Sequence, residues 1–162
     1  MIASRPRRRR LDEIALLVGS GDRIALSTLP FVLAAVVVNI AEPAWFSVGG
    51  PPEWLWFAST AVLGVGLVVW AWSAALILAY VPRHRLITTG PFRVVKHPLY
   101  TAVALLVLPA TGLLFDSWLG VPLGLVMYGF VRMYGPLEEQ ALATEFGAAW
   151  RSYAAAVWLR WL

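Results

Sequence analysis

The chain has 162 residues, 60% of them hydrophobic and 14% charged, with a mean hydropathy of +0.72. Ordinary soluble domains are about half apolar and about a quarter charged, so a water-soluble globule is excluded and a small polytopic membrane protein is expected. The absence of cysteine removes disulfides, thiolate metal sites, iron–sulfur clusters and cysteine nucleophiles, two histidines cannot build a metal site alone, and the net charge of +4 resides largely in arginines placed just ahead of apolar segments, which speaks for lipid contact and topology, not nucleic acid.

Residues 1–23 form a basic segment with Arg5 and Arg7 to Arg10. Leu11, Ile14, Leu17 and Val18 follow helical spacing and stop at Gly19-Ser-Gly21, which predicts a short helix lying on the membrane surface. Asp12 and Glu13 interrupt the apolar run, so a cleaved signal peptide is not expected. A bilayer core needs about 20 apolar residues per helix. Four segments qualify, roughly Ile24 to Ala41, Trp54 to Val81, Leu99 to Phe115 and Ser117 to Tyr134. The last two are joined only by a turn at Asp116 and so predict a tight antiparallel hairpin, with Pro109 and Pro122 as candidate kinks near a cavity.

With four spans, all thirteen Lys and Arg residues fall in the N-terminal segment, the loop 82–98, or the end of the fourth span and the tail. The opposite loops carry only Glu42, Glu53 and Asp116, so the positive-inside rule places both termini in the cytoplasm, with Trp45, Trp54, Trp56 and Trp118 as the outer aromatic belt. A fifth crossing by the tail is rejected because Glu138, Glu139, Glu145 and Arg151 make it expensive. The expected architecture is an all-α, single-domain membrane bundle: a basic interfacial segment 1–23, a four-span core 24–134 and a cytoplasmic amphipathic tail 135–162, the whole sited in a bacterial or archaeal plasma membrane.

Chemistry is confined to the polar stretches at the inner interface. The loop reads Pro82-Arg-His-Arg-Leu-Ile-Thr-Thr-Gly-Pro-Phe-Arg-Val-Val-Lys-His-Pro-Leu-Tyr100, and the tail opens Tyr134-Gly-Pro-Leu-Glu-Glu139 and continues Glu145-Phe-Gly-x-x-Trp-x-x-Tyr153. This ordered set resembles the integral membrane methyltransferase family that includes isoprenylcysteine carboxyl methyltransferases and phospholipid N-methyltransferases. The likeness runs from His84 to about Tyr153. Lys96 stands where Arg is usual, Ala102 where a small Gly is common, and Val157-Trp158-Leu159-Arg160 where Val-Pro-Arg is frequent.

The resemblance implies binding of S-adenosyl-L-methionine beneath the loop and tail, with a lipophilic small-molecule acceptor entering from the membrane lipids. Carried over by position, cofactor contacts fall on His84, Arg85, Leu86, Ile87, Phe92, His97, Pro98, Leu99, Tyr100 and Glu138, and an acceptor-binding arginine falls near Arg132. The residue types agree. Arg85, Lys96 and His97 offer donors to an α-carboxylate, Glu138 and Glu139 offer acceptors to cationic groups or hydroxyls, and Phe92 and Tyr100 offer aromatic faces. Gly19-Ser-Gly21 and Gly64-Val-Gly66 lack the third glycine of a dinucleotide loop, so a Rossmann-type enzyme is excluded.

Simpler roles compete at each position. His97 before Pro98 also reads as a helix cap, and the loop arginines as topology determinants. Glu138 and Glu139 after Pro136 read as the first turn of a new helix, complementing its dipole. At 100° per residue, however, Leu142, Phe146, Ala149, Trp150, Tyr153 and Val157 share a stripe that includes Glu139, where a carboxylate is costly without a ligand or basic partner. The stripe itself reads as packing. Arg132 either snorkels to the headgroups or holds the acceptor.

The reading is methyl transfer from S-adenosyl-L-methionine to a lipophilic acceptor, with Arg132, His97 and Glu139 as the catalytic set, Lys96 and Glu139 added to the cofactor contacts, and no metal. Rival readings are a sterol- or prenyl-type lipid reductase using NADPH and a non-catalytic lipid-binding scaffold. The acceptor, the atom methylated and the oligomeric state stay open.

Overall fold

The computed structural model describes residues 21–160 and is helical throughout, with no strand among the described residues. The expected surface helix over Leu11 to Val18 lies outside the described residues. In chain order the helices are α1 (Gly21–Ala41), α2 (Pro43–Phe46), α3 (Glu53–Tyr80), α4 (Pro98–Leu114), α5 (Gly120–Phe146) and α6 (Ala148–Ala156). The loop between α3 and α4 contains 3₁₀ turns at Val81–Arg83 and Gly90–Arg93.

By length and composition two helices can cross a membrane, Gly21–Ala41 and Glu53–Arg83, with hydropathy 2.3 and 2.2, while Pro98–Leu114 is apolar but shorter. α1 buries only Ile24 and Thr28, and α3 only Ser59, Gly66 and Ser73, leaving Ile40, Val65 and Val68 among many large apolar side chains exposed. Such a surface is untenable in water and natural in lipid. The buried residues of α3 recur every seven positions and are small, so its backbone approaches α4 closely, the usual solution where hydrocarbon removes the hydrophobic drive. Gly66 shows this directly, since a Cβ there would sit 2.9 Å from Leu106 Cβ.

α4 and α5 form the expected hairpin. Asp116 takes a left-handed conformation (φ 55) at the turn, and its carboxylate accepts hydrogen bonds from Ser47 Oγ at 2.6 Å, Gly50 N at 2.9 Å and Val48 N at 3.1 Å. These bonds, led by the Ser47 hydroxyl, hold the Asp116 carboxyl below its usual range. Trp118 N donates to Phe46 O at 3.0 Å, which ties α2 to the same turn. Pro109 removes one donor from α4. The helix widens just before it, where Leu108 N–H returns to Val103 O, five residues back, in a π turn over Val103–Val107. Pro122 sits in the first turn of α5, where backbone N–H groups lack intrahelical partners anyway.

Two sequence expectations change. The fourth apolar segment does not stop at Tyr134, because α5 runs unbroken through Pro136 to Phe146. Glu138 and Glu139 therefore occupy a helix interior, and a role for them as dipole-complementing first-turn residues is overturned. The apolar stripe is also not one continuous helix, since Gly147 (φ 53) breaks it and Ala149 is exposed. Its other members still converge: Trp150, Tyr153 and Val157 are buried against Leu142, Phe146, Leu86 and Phe92, so the aromatic stripe does pack the tail to the loop.

Gly124 of α5 faces α4 so closely that a methyl there would collide with the Ala104 carbonyl oxygen. Gly124→Ala is therefore expected to cost about 1–3 kcal/mol, read as a lowered thermal midpoint in detergent. Gly129→Ala, on the open face with nothing within 4 Å of the added carbon, should leave the midpoint nearly unchanged. Equal midpoints for the two variants would contradict the hairpin packing.

Candidate functional site

A cavity of about 480 Å³ opens at the end of the bundle where α3 exits, α4 begins and α5 projects. Its size falls in the range of small-molecule sites, roughly 300–1,000 Å³. The loop supplies His84, Arg85, Leu86, Ile87, Phe92, Lys96 and His97, the start of α4 supplies Pro98, Leu99 and Tyr100, and α5 supplies Glu138. The sequence-predicted cofactor residues thus share one wall system. Glu139 is the exception and faces the loop behind it.

Lys96 Nζ donates to Glu139 Oε1 at 3.0 Å and Oε2 at 2.9 Å, which supplies the basic partner that a carboxylate in the apolar stripe requires. His97 occupies the backbone N-cap position of α4, yet its side chain makes no capping bond. The imidazole is instead 9% exposed and wedged against α5, with Nε2 3.5 Å from Glu139 Oε1 and Nδ1 3.9 Å from Glu138 Oε2. At that distance Nε2 has no formed hydrogen bond, and the two Lys96 bonds fix the carboxylate's position. The neighbouring His97 ring and, after it, Lys96 outweigh partial desolvation and hold the Glu139 carboxyl down to about 2.

The room for His97 comes from Gly135, which is buried on α5 and whose Cβ would stand 3.1 Å from Nε2. The tail roofs the cavity with Trp150 and Tyr153. Tyr153 Oη donates to Phe92 O at 2.7 Å, and Leu159 N to Val94 O at 2.9 Å. Burial, followed by the charge of Glu139, pushes the Tyr153 phenol above its usual range.

Several cavity-lining residues escaped the sequence reading. Asp22 and Arg23, at the first turn of α1, line the cavity, as do Ile77 of α3 and Glu145 of α5. Glu138, Ala141, Leu142 and Glu145 stand at i, i+3, i+4 and i+7, a helical face visible in the sequence once Pro136 is allowed inside the helix. Arg132 goes the other way. It is exposed on α5 and does not line the cavity.

The family model for isoprenylcysteine carboxyl methyltransferase (ICMT) matches residues 53–144, more than half of the chain. The chain belongs to the ICMT family. No curated protein and no solved structure matches it. ICMT membership makes this a membrane methyltransferase family member, and the matched segment contains α3, the loop, the hairpin and α5 through Thr144. The cavity extends past it at both ends, to Asp22 and Arg23 and to the wall from Glu145 onward.

The Glu139 pairing has a pH signature. The unfolded carboxyl protonates near 4.5, whereas the folded one stays ionised to about 2. Between these values the unfolded state binds more protons, so the stabilisation is complete above about 4.5 and is lost as pH falls toward about 2. The difference in unfolding free energy between the parent chain and Glu139→Gln, followed in detergent from neutral to acid pH, should shrink over that window. A difference that stays constant with pH would show that Glu139 is not held ionised by Lys96 and His97.

Proposed function

We propose that the chain transfers a methyl group from S-adenosyl-L-methionine to a lipophilic acceptor. The observation that carries this reading is the cavity itself: a methyltransferase-family chain holds cations, carboxylates and aromatic faces together where an apolar bundle ends. The donor set fits the cofactor. Arg85 and Arg23 can meet a carboxylate, Glu138 and Asp22 can meet cationic groups, and Phe92, Tyr100 and Trp150 offer faces for an aromatic base. Lys96 lines the same cavity, but its ammonium is committed to Glu139 and belongs to the support of the site.

When bound, S-adenosyl-L-methionine supplies an electrophilic methyl group on a sulfonium sulfur. The chain's task is then alignment and exclusion of water, which Leu86, Ile87, Phe92 and the tail cluster perform by closing the wall. A carboxylate acceptor needs no base. An amine or thiol must lose a proton, and His97, between Glu138 and Glu139, is the group best placed to accept it. Glu139 acts through its pairing with Lys96, which keeps the loop seated on α5. Arg132, exposed on α5 about one and a half turns before Glu138, is assigned to the acceptor's head group, apart from the cofactor.

The reading places the molecule as one domain with four spans in a bacterial or archaeal plasma membrane, both termini and the cavity facing the cytoplasm. Reporter fusions near Arg93 and at the C-terminus should report cytoplasm, and one near Gly50 the outside. An external C-terminus would rule out four spans.

Purified protein should bind S-adenosyl-L-methionine and its demethylated product, and not NADPH. His97→Ala and Glu138→Gln should each weaken that binding by about 1–3 kcal/mol. Arg132→Ala should depress radiolabelled methyl transfer to a host lipid extract while leaving cofactor affinity nearly intact, with only partial rescue by Lys. Preferential NADPH binding would favour a reductase, and full transfer by Arg132→Ala would reduce that arginine to a snorkelling role.

A further inference from the structure

His84 is the corner at which the chain leaves α3. Its N–H returns to Val81 O at 3.0 Å, the next N–H returns to Tyr80 O at 3.2 Å, and the path then turns into the Arg85–Ile87 wall of the cavity. The corner has a left-handed backbone (φ 49), uncommon for a non-glycine residue even though His is among the types enriched there, and a side-chain tether is one constraint that can hold it. One such constraint is visible. His84 Nδ1 lies 3.1 Å from Glu145 Oε1, and both residues line the cavity.

Glu145 is itself unusual. It sits in the last turn of α5, where the helix dipole disfavours a carboxylate, and no basic residue shares that turn. The chain then breaks at Gly147 (φ 53) before α6. A partner across the cavity rim explains why a carboxylate is tolerated there. It also lies one residue beyond the family-matched segment, and two turns along the same helix from Glu138.

We infer that Glu145 is a positioning residue: by holding His84 it pins the corner of the loop to α5, so that the loop wall and Glu138 are referenced to one rigid helix. The inference rests on the cavity being the S-adenosyl-L-methionine site. The far edge of the roof is fastened separately, by Tyr153 Oη to Phe92 O and Leu159 N to Val94 O, so losing Glu145 frees the near edge alone.

The test compares the parent chain with Glu145→Ala, His84→Ala, the double variant and His84→Asn. Each single alanine variant should raise the KM for S-adenosyl-L-methionine roughly two- to fivefold, the worth of a single largely exposed side-chain contact, with kcat little changed. The double variant should be no worse than either single one. Asn tolerates the left-handed region and carries a donor at a similar reach, so His84→Asn should raise the KM less than His84→Ala does. A second readout does not need the cofactor. The chain has no cysteine, so Arg83→Cys beside the corner and Ser152→Cys on α6, both at exposed positions, accept a clean pair of spin labels. Glu145→Ala should broaden their distance distribution. If the parent chain binds no S-adenosyl-L-methionine, the cofactor reading falls and the label distances alone judge the positioning role. If it binds, and Glu145→Ala alters neither KM nor distances, or the double variant is additive, the positioning role is overturned.

Discussion

A carboxylate carried on the apolar side of a helix must be neutralised by a partner, and in this chain Glu139 meets that demand with Lys96. The pair joins the loop to α5 across 43 residues of sequence. Its consequences spread in both directions. On the loop side it fixes the residue immediately before His97, which sets the imidazole on the bare backbone of Gly135. On the helix side it orients α5 so that the adjacent Glu138 lines the cavity. Two neighbouring glutamates thus do different work, since successive residues on a helix point about 100° apart.

The continuity of α5 makes this arrangement stiff. Pro136 deprives the helix of one hydrogen bond, yet α5 continues for ten residues to Phe146. One element therefore spans from the apolar hairpin, where Gly124 meets the Ala104 carbonyl, to the cavity wall at Glu138 and Glu145. The break occurs only at Gly147, after which α6 folds back and its Trp150 and Tyr153 cover the loop.

The cavity combines ionic partners with an apolar roof, and the balance matters for methyl transfer. Charged groups interact more strongly as water is withdrawn, whereas each unpaired one then costs more. The structure resolves this by pairing the supporting groups with one another, Lys96 with Glu139 and His84 with Glu145, both at the loop–α5 boundary. Arg85, Arg23, Asp22 and Glu138 line the wall itself.

The amino-acid sequence alone determined the helical membrane character, through composition and run length, and the hairpin at Asp116, through two apolar runs with no room for a longer connection. Through the resemblance of its ordered motifs it also implied that His84 to Ile87, Phe92, His97 to Tyr100 and Glu138 would face a common space. It marked Glu139 as needing a cation without naming Lys96. What tertiary structure decided was every pairing between distant elements: Lys96 with Glu139, Glu145 with His84, the entry of Asp22 and Arg23 into the cavity wall, and the turning of Arg132 away from it. Periodicity assigns residues to faces of their own helix, but which face meets which neighbour depends on how helices rotate and cross. Here that was set by small residues such as Gly66, Gly124 and Gly135, whose importance lies in the side chain they lack and becomes apparent only when the opposing backbone is in place.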